Sequence, residues 1–278
     1  VVLTHGAGSG GSATWNLPGE YSVLRHLACA GFDAYGFDAR GYGGSTHPPQ
    51  MAGDDPRGVP VARAADVQPD LEAVIERARE DSGPGPVDLV GWSWGCVVAG
   101  LQAARHPGAV RRLVLVAPVW DRELPRRHVR DRIWREERRA LHARLTAPDR
   151  EDARVHAAFV EQLFRFEAND VLRLPNGAYR DLYGPDAPVW PAASVTADVL
   201  ILRGEHDAAS RRAAALRLFD ALASAAGRTY VEVGGAGHFL FRRRGHRVFR
   251  SLLTEHLRRP EAWGPGSEAR ENRRLLPQ

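Results

Sequence analysis

The sequence predicts an α/β fold: a mostly parallel sheet with helices on both faces and a helical cap inserted into it. Three observations carry this. Short apolar runs lie at 87–90, interrupted by Asp88, at 113–117 and at 199–202, and the continuous run 113–117 is the mark of a strand buried on both faces. They alternate with segments of helical period, the arrangement of helices packed on a parallel sheet. Between Trp120 and about Ala193 the alternation stops and the chain turns arginine-rich, which marks an insertion between two core strands. The expected division is a core of residues 1–118 and 195–260, a helical cap of 119–194, and a loosely ordered C-terminal tail of 261–278.

The chain opens on an apolar strand, 1–4, that stops at His5-Gly6-Ala7-Gly8-Ser9-Gly10-Gly11. Glycines here let backbone amides come close to a ligand, and small residues after a first strand supply an amide donor for a developing oxyanion, with Ala7 as the candidate. A helix follows at 21–30, with Val23, Leu24, Leu27 and Ala28 on one face and Gly31 closing it. The strand at 32–37 leads to Asp38-Ala39-Arg40-Gly41-Tyr42-Gly43-Gly44-Ser45, a tight turn that hydrogen bonds from Asp and Ser are expected to pin. Residues 46–64, with four prolines, read as a surface loop. The segment 66–81 is helical by period, and Ser82-Gly83-Pro84-Gly85-Pro86 ends it.

Next comes Gly91-Trp92-Ser93-Trp94-Gly95, between the strand ending at Trp92 and a helix reaching about His106. A strand that turns straight into a helix leaves no room for side chains, so glycine is wanted two residues either side of the tip. Ser93 is that tip. Its hydroxyl projects clear of the sheet, and the first amides of the following helix face the place where a negative oxygen would form. The residues are those of acyl transfer.

In the insertion, a thin apolar line through Val129, Ile133, Ala140 and Leu141 and another through Val155, Phe159, Leu163 and Phe166 predict two helices. An insertion at this place roofs an active site. Its aromatics Trp134, Phe159, Phe164, Tyr179 and Trp190, with Trp92 from the core, are candidates for an apolar acyl pocket. The core resumes with the strand 199–202 and Arg203-Gly204-Glu205-His206-Asp207, a helix at 211–226, a strand at 229–233, and Gly234-Gly235-Ala236-Gly237-His238. Asp207 and His238 therefore each lie just past a strand's carboxyl end, the edge on which Ser93 sits and on which such sheets bind ligands. A last helix is expected at 239–258.

Taken together, His5-Gly6, the Asp38 to Ser45 turn, Gly91 to Gly95, Gly204-Glu205-His206-Asp207 and Gly237-His238 resemble the α/β-hydrolase superfamily. The resemblance spans roughly residues 1–118 and 195–258. It implies Ser93 as nucleophile, His238 as general base, Asp207 as the acid that orients it, and an oxyanion hole from the amides of Ala7 and Trp94. Asp121, which follows the strand 113–117, is the alternative acid. Aspartate is the nucleophile in the dehalogenase and epoxide-hydrolase branches, so Ser93 excludes both. Members of the superfamily usually place a strand pair before the one that starts here, so residues are expected upstream of Val1. The implied activity is hydrolysis of an ester, thioester or lactone. Acyl transfer or cyclisation on a carrier- or coenzyme A-bound acyl group and a proline iminopeptidase-like cleavage are the alternatives, and a non-catalytic binding protein is a third.

Composition narrows the field. The chain has 278 residues, 44% apolar and 26% charged, with a formal charge of +4. No run approaches the roughly 18 to 20 apolar residues of a bilayer span, and no signal peptide is visible, so a soluble cytoplasmic protein is expected. The basic residues are all arginine, dispersed among Asp and Glu rather than gathered into a nucleic-acid surface. Cys29 and Cys96 lie in apolar helical segments, which suits buried thiols. The histidines form no metal-ligand pattern, and the chemistry calls for neither metal nor cofactor.

Overall fold

The structure, a computed structural model, describes residues 1–120, 131–146, 153–167, 169–185, 187, 189–242 and 245–260, with Leu145 in backbone only. The alternative acid Asp121 and the tail 261–278 lie outside the described residues.

The frame is a six-stranded parallel sheet. Chain order gives β1 (Val2–Thr4), α1 (Gly11–Trp15), α2 (Val23–Cys29), β2 (Tyr35–Gly36), α3 (Gln68–Ser82), β3 (Val87–Trp92), α4 (Gly95–Arg105) and β4 (Val110–Val116). After the insertion come β7 (Asp198–Gly204), α8 (Arg212–Ala221), β8 (Gly227–Val233) and α9 (His246–Arg258). The insertion carries β5 (Trp134–Arg138), α5 (Arg139–Thr146), α6 (Ala153–Leu163), β6 (Val171–Pro175) and α7 (Gly177–Tyr183). Strand order is β2-β1-β3-β4-β7-β8. The central strands β3, β4 and β7 are the apolar runs read from sequence, and Leu89, Val90, Leu113 to Val116 and Val199 to Leu202 are fully or almost fully buried between two helical layers. Polar residues interrupt the outer strands, and β8 is only half-buried along most of its length.

The insertion departs from expectation. It is not all helical: β5 and β6 pair antiparallel, Trp134 opposite Pro175 and Arg138 opposite Val171. The strand signal in β6 is the alternation that buries Leu172 and Leu174. In β5 the alternating residues are charged, with Arg135 and Glu137 turned inward and Glu136 and Arg138 exposed, so no apolar period shows there. Leu141 and Phe166, expected on packed faces, are largely exposed.

The loop 46–64 is also more than surface. Met51, Ala62 and Ala64 are buried, and the insertion sits on this segment. The Gly177 amide donates to the Val61 carbonyl, and Asp181 accepts from the Ala64 amide and from Arg63 Nε. The final helix begins at His246, after a single 3-10 turn at Leu240–Arg242. Cys29 is exposed because its place in α2 faces away from the sheet; Cys96 is buried, as expected. No helix among the described residues is long and apolar enough to cross a membrane.

Candidate active site

Because the sheet is parallel, the loops after β1, β3, β7 and β8 emerge on one edge, and each carries one of the residues singled out from sequence. The elbow after β3 holds Ser93 at φ +56°, a left-handed conformation that costs a serine roughly 1 to 3 kcal/mol. The surroundings enforce it. A Cβ on Gly91 would meet the Gly95 carbonyl oxygen at 2.5 Å, and one on Gly95 would meet the Thr4 carbonyl oxygen at 2.4 Å. Both obstacles are backbone, so the two positions admit only glycine while β1, β3 and α4 stay in place. Thr4 Oγ1 locks the contact from the other side by donating to the Gly95 carbonyl at 2.8 Å.

The loop after β7 buries the Asp207 side chain completely. Its Oδ1 accepts the amides of Ala209 and Ser210 at 2.9 and 2.8 Å, which fixes the carboxylate plane. Oδ2 is left for His238, whose Nδ1 donates to it at 2.8 Å. The carboxylate can only accept, so the proton of a neutral imidazole sits on Nδ1 and the Nε2 lone pair is free to accept from Ser93 Oγ, 3.0 Å away. His238 is held from below as well. Trp92 Nε1 donates to the His238 carbonyl at 2.9 Å, and the indole packs against the rings of His238 and Phe239.

Of the expected amide donors, Trp94 follows the serine at the start of α4, and Ala7 lies in the loop after β1, the strand beside β3. Neither amide is committed to an acceptor among the described residues. The first loop is pinned by His5. Its Nδ1 donates to the Gly6 carbonyl at 2.9 Å and its Nε2 accepts the Ala39 amide at 3.1 Å, so the ring is neutral, and burial pushes its pKa down. Asp38 binds the same loop from the second turn, accepting from Ser12 N, Ser12 Oγ and Gly44 N. That is the structural role read from sequence, while Arg40 pairs with Asp70 instead of entering the site.

Sequence reasoning missed the braces supplied by the insertion. Arg135, with a side chain 13% exposed, extends from β5 and donates from Nη2 to the Ala7 carbonyl at 2.8 Å. The same guanidinium donates to the Pro175 carbonyl, pairs with Glu137 and stacks over Tyr179 at 3.9 Å. Asp181, from α7, accepts from Trp94 Nε1 at 3.1 Å. Each candidate oxyanion residue is therefore held by one charged side chain from the insertion. An arginine-rich segment gives no hint of which arginine does this, so only the fold could have found Arg135.

The aromatics separate into two groups. Phe159 reaches the site, its ring 6.2 Å from that of Phe239, the neighbour of His238. Phe164 stands behind it against His142, and Tyr179 serves as the platform under Arg135. Trp134 is covered by Arg173 at 3.8 Å. Trp190 is not part of the group. It lies over Gly100 in the middle of α4, about 10 Å along the helix from Ser93 at 1.5 Å per residue. There it lines a surface groove of about 790 Å³ with Leu101, Arg105 and Trp120.

Cys96 is the other nucleophile type near the elbow. Its thiol donates toward the Gly91 and Val116 carbonyls, and burial pushes its pKa well up, so it stays a protonated core group. Among the described residues no three His, Cys, Asp or Glu side chains gather to hold a metal ion.

A parallel α/β sheet that carries a strained serine at a strand-to-helix elbow, a histidine against it and a buried aspartate behind defines a class of protein. The chain belongs to the alpha/beta hydrolase fold family, whose model matches residues 1–242. Solved structures share the architecture. A monoacylglycerol lipase from Paleococcus ferrophilus is 21% identical with a TM-score of 0.63, the match covering 92% of this chain and 93% of that one. The enol-lactonase from Burkholderia xenovorans LB400 is 18% identical with a TM-score of 0.58, covering 93% and 90%. A thioesterase domain from the curacin biosynthetic pathway is 17% identical with a TM-score of 0.64, covering 91% and 89%. At these identities the likeness is one of fold. A comparison with curated proteins found no match.

Proposed function

We propose that the protein is a serine hydrolase that cleaves an ester, thioester or lactone of a small organic acid through an acyl-enzyme. The observation that carries this is the continuous hydrogen-bonded line from Ser93 Oγ through His238 to Asp207, at 3.0 and 2.8 Å, on an elbow that holds the serine at a positive φ. Ser93 Oγ attacks the carbonyl carbon as His238 Nε2 takes its proton. Asp207 stabilises the imidazolium, and the amides of Ala7 and Trp94 receive the negative oxygen. The imidazolium returns the proton to the leaving oxygen or sulfur. Water, deprotonated by the same histidine, then opens the acyl-enzyme.

Arg135, Arg139 and Arg173 of the insertion pair with its own carboxylates Glu137, Glu161, Asp170 and Glu136. That supports a roof for a small substrate more than a grip on a phosphorylated carrier. The test is intact mass after exposure to a small fluorophosphonate. One adduct is expected on the wild type and none on Ser93→Ala. A folded wild type that stays unlabelled, and that turns over no member of a panel of esters, thioesters and lactones, overturns the reading.

A further inference from the structure

The insertion holds a second acid–histidine pair, and the function above does not use it. Glu137 on β5 and His142 on α5 are in direct contact, Oε2 to Nδ1. Burial would raise the Glu137 carboxyl, but the hydrogen bond from His142 and the charge of Arg135 outweigh it and bring its pKa to about 2. An ionised carboxylate only accepts, so Nδ1 carries a proton and the tautomer is fixed. With Nδ1 committed to Glu137, the lone pair of the neutral imidazole is on Nε2.

That nitrogen has no partner among the described residues, although the His142 side chain is only 4% exposed. A buried polar atom left unpaired is costly, so such an atom asks for an occupant. Its surroundings say where that occupant sits. The ring lies between Phe159 and Phe164 on one side and the first loop on the other, where a Cβ on Gly8 would be 3.8 Å from His142 Cε1. Gly8 follows the candidate oxyanion donor Ala7, and Phe159 leads on to Phe239 beside the catalytic histidine. The ring therefore borders the reacting carbonyl's side of the site. The arrangement repeats Asp207–His238 with no serine in front of it.

We propose that His142 Nε2 accepts a hydrogen bond from an O–H or N–H of the substrate, so that the protein acts on hydroxyacyl or amidoacyl esters in preference to plain acyl ones. This rests on the hydrolase reading and deepens it. Because the glutamate fixes the tautomer and the aromatic rings exclude water, the contact selects for a donor and rejects an alkyl chain that leaves Nε2 empty.

The test compares methyl butyrate with methyl 2-hydroxybutyrate, methyl 3-hydroxybutyrate and methyl N-acetylglycinate by titrating released acid. In the wild type at least one donor-bearing ester should be favoured in kcat/KM by about tenfold, the worth of one hydrogen bond to a buried acceptor. His142→Phe should bring that ratio to within about twofold, and His142→Gln, which keeps an acceptor oxygen, should restore part of it. If the phenylalanine variant does not fold, Glu137→Gln serves, since it frees the tautomer and should shrink the same ratio. The proposal is overturned if the wild type treats donor-bearing and plain esters alike, or if the preference survives in His142→Phe. Failure of fluorophosphonate to label Ser93, with no ester cleaved, removes the hydrolase reading itself, and this inference with it.

Discussion

The core and the insertion contribute to one site by different means. The core supplies the proposed reacting groups, each at the end of a parallel strand and each held close to backbone: Gly95 against Thr4, two amides on Asp207, the Trp92 indole on the His238 carbonyl. The insertion supplies long charged side chains that reach across to core residues, as Arg135 does to Ala7 and Asp181 to Trp94. Chemistry placed by backbone tolerates little variation, whereas support from side chains can be rebuilt from other residues. The two regions should therefore fail differently when altered.

The largest difference is expected at the acid. Asp207→Asn keeps the shape and the two backbone hydrogen bonds, but its amide can donate to Nδ1, which would place the proton on Nε2 and leave Ser93 without a base. On any ester that is turned over, kcat should fall by about ten-thousand-fold while the urea midpoint moves little. A loss of less than about tenfold would mean that the acid comes from elsewhere, with Asp121 the first to examine.

A smaller loss is expected from the brace. Arg135→Met preserves much of the stem but removes the guanidinium that stacks on Tyr179, and so releases the Ala7 carbonyl. Removing an oxyanion donor outright costs about a hundredfold or more, so mis-aiming one should lower kcat by about tenfold, with KM within about threefold. An unchanged kcat would reduce the insertion to a roof.

The smallest effect is one of stability. Burial lowers the pKa of His5, so the native ring stays neutral where the unfolded chain, with an ordinary value near 6.5, takes up a proton. Its contribution is complete above about pH 6.5 and is lost as pH falls below that toward the lowered value. The urea midpoint of the wild type should decline from pH 7 to pH 5. In His5→Asn, whose amide can keep the Nδ1 donor bond to the Gly6 carbonyl without titrating, the decline should be shallower. It should not vanish, because burial also lowers His26, His47, His156 and His256. Equal slopes in the two proteins would show that the first loop does not depend on a neutral ring.

The same contrast explains what could be read from sequence. The sheet, the elbow and the positions of Ser93, Asp207 and His238 past strand ends were legible because glycine spacing and buried apolar runs are local signals with steric causes. The β5–β6 pair was not, because Trp134-Arg135-Glu136-Glu137-Arg138 alternates in burial but not in polarity: its inward residues are charges that meet each other. Trp190 was misplaced for a related reason. A large aromatic in an insertion announces burial, and only the fold says that the surface it covers is Gly100. Nor could any local pattern show that Arg63, in a proline-rich loop, would meet Asp181 more than a hundred residues later.

The separation of the reacting groups along the chain sets an order of assembly. Ser93 and His238 are 145 residues apart, and the strands that carry them are not neighbours, with β4 and β7 standing between. Contacts of such span close late, after the intervening sheet has formed. A ribosome-bound chain that has already made its elbow therefore holds a serine without a base, chemically as quiet as any surface hydroxyl. On the proposed function, Ser93 therefore gains its base only when β8 docks, and by then the fold around it is complete.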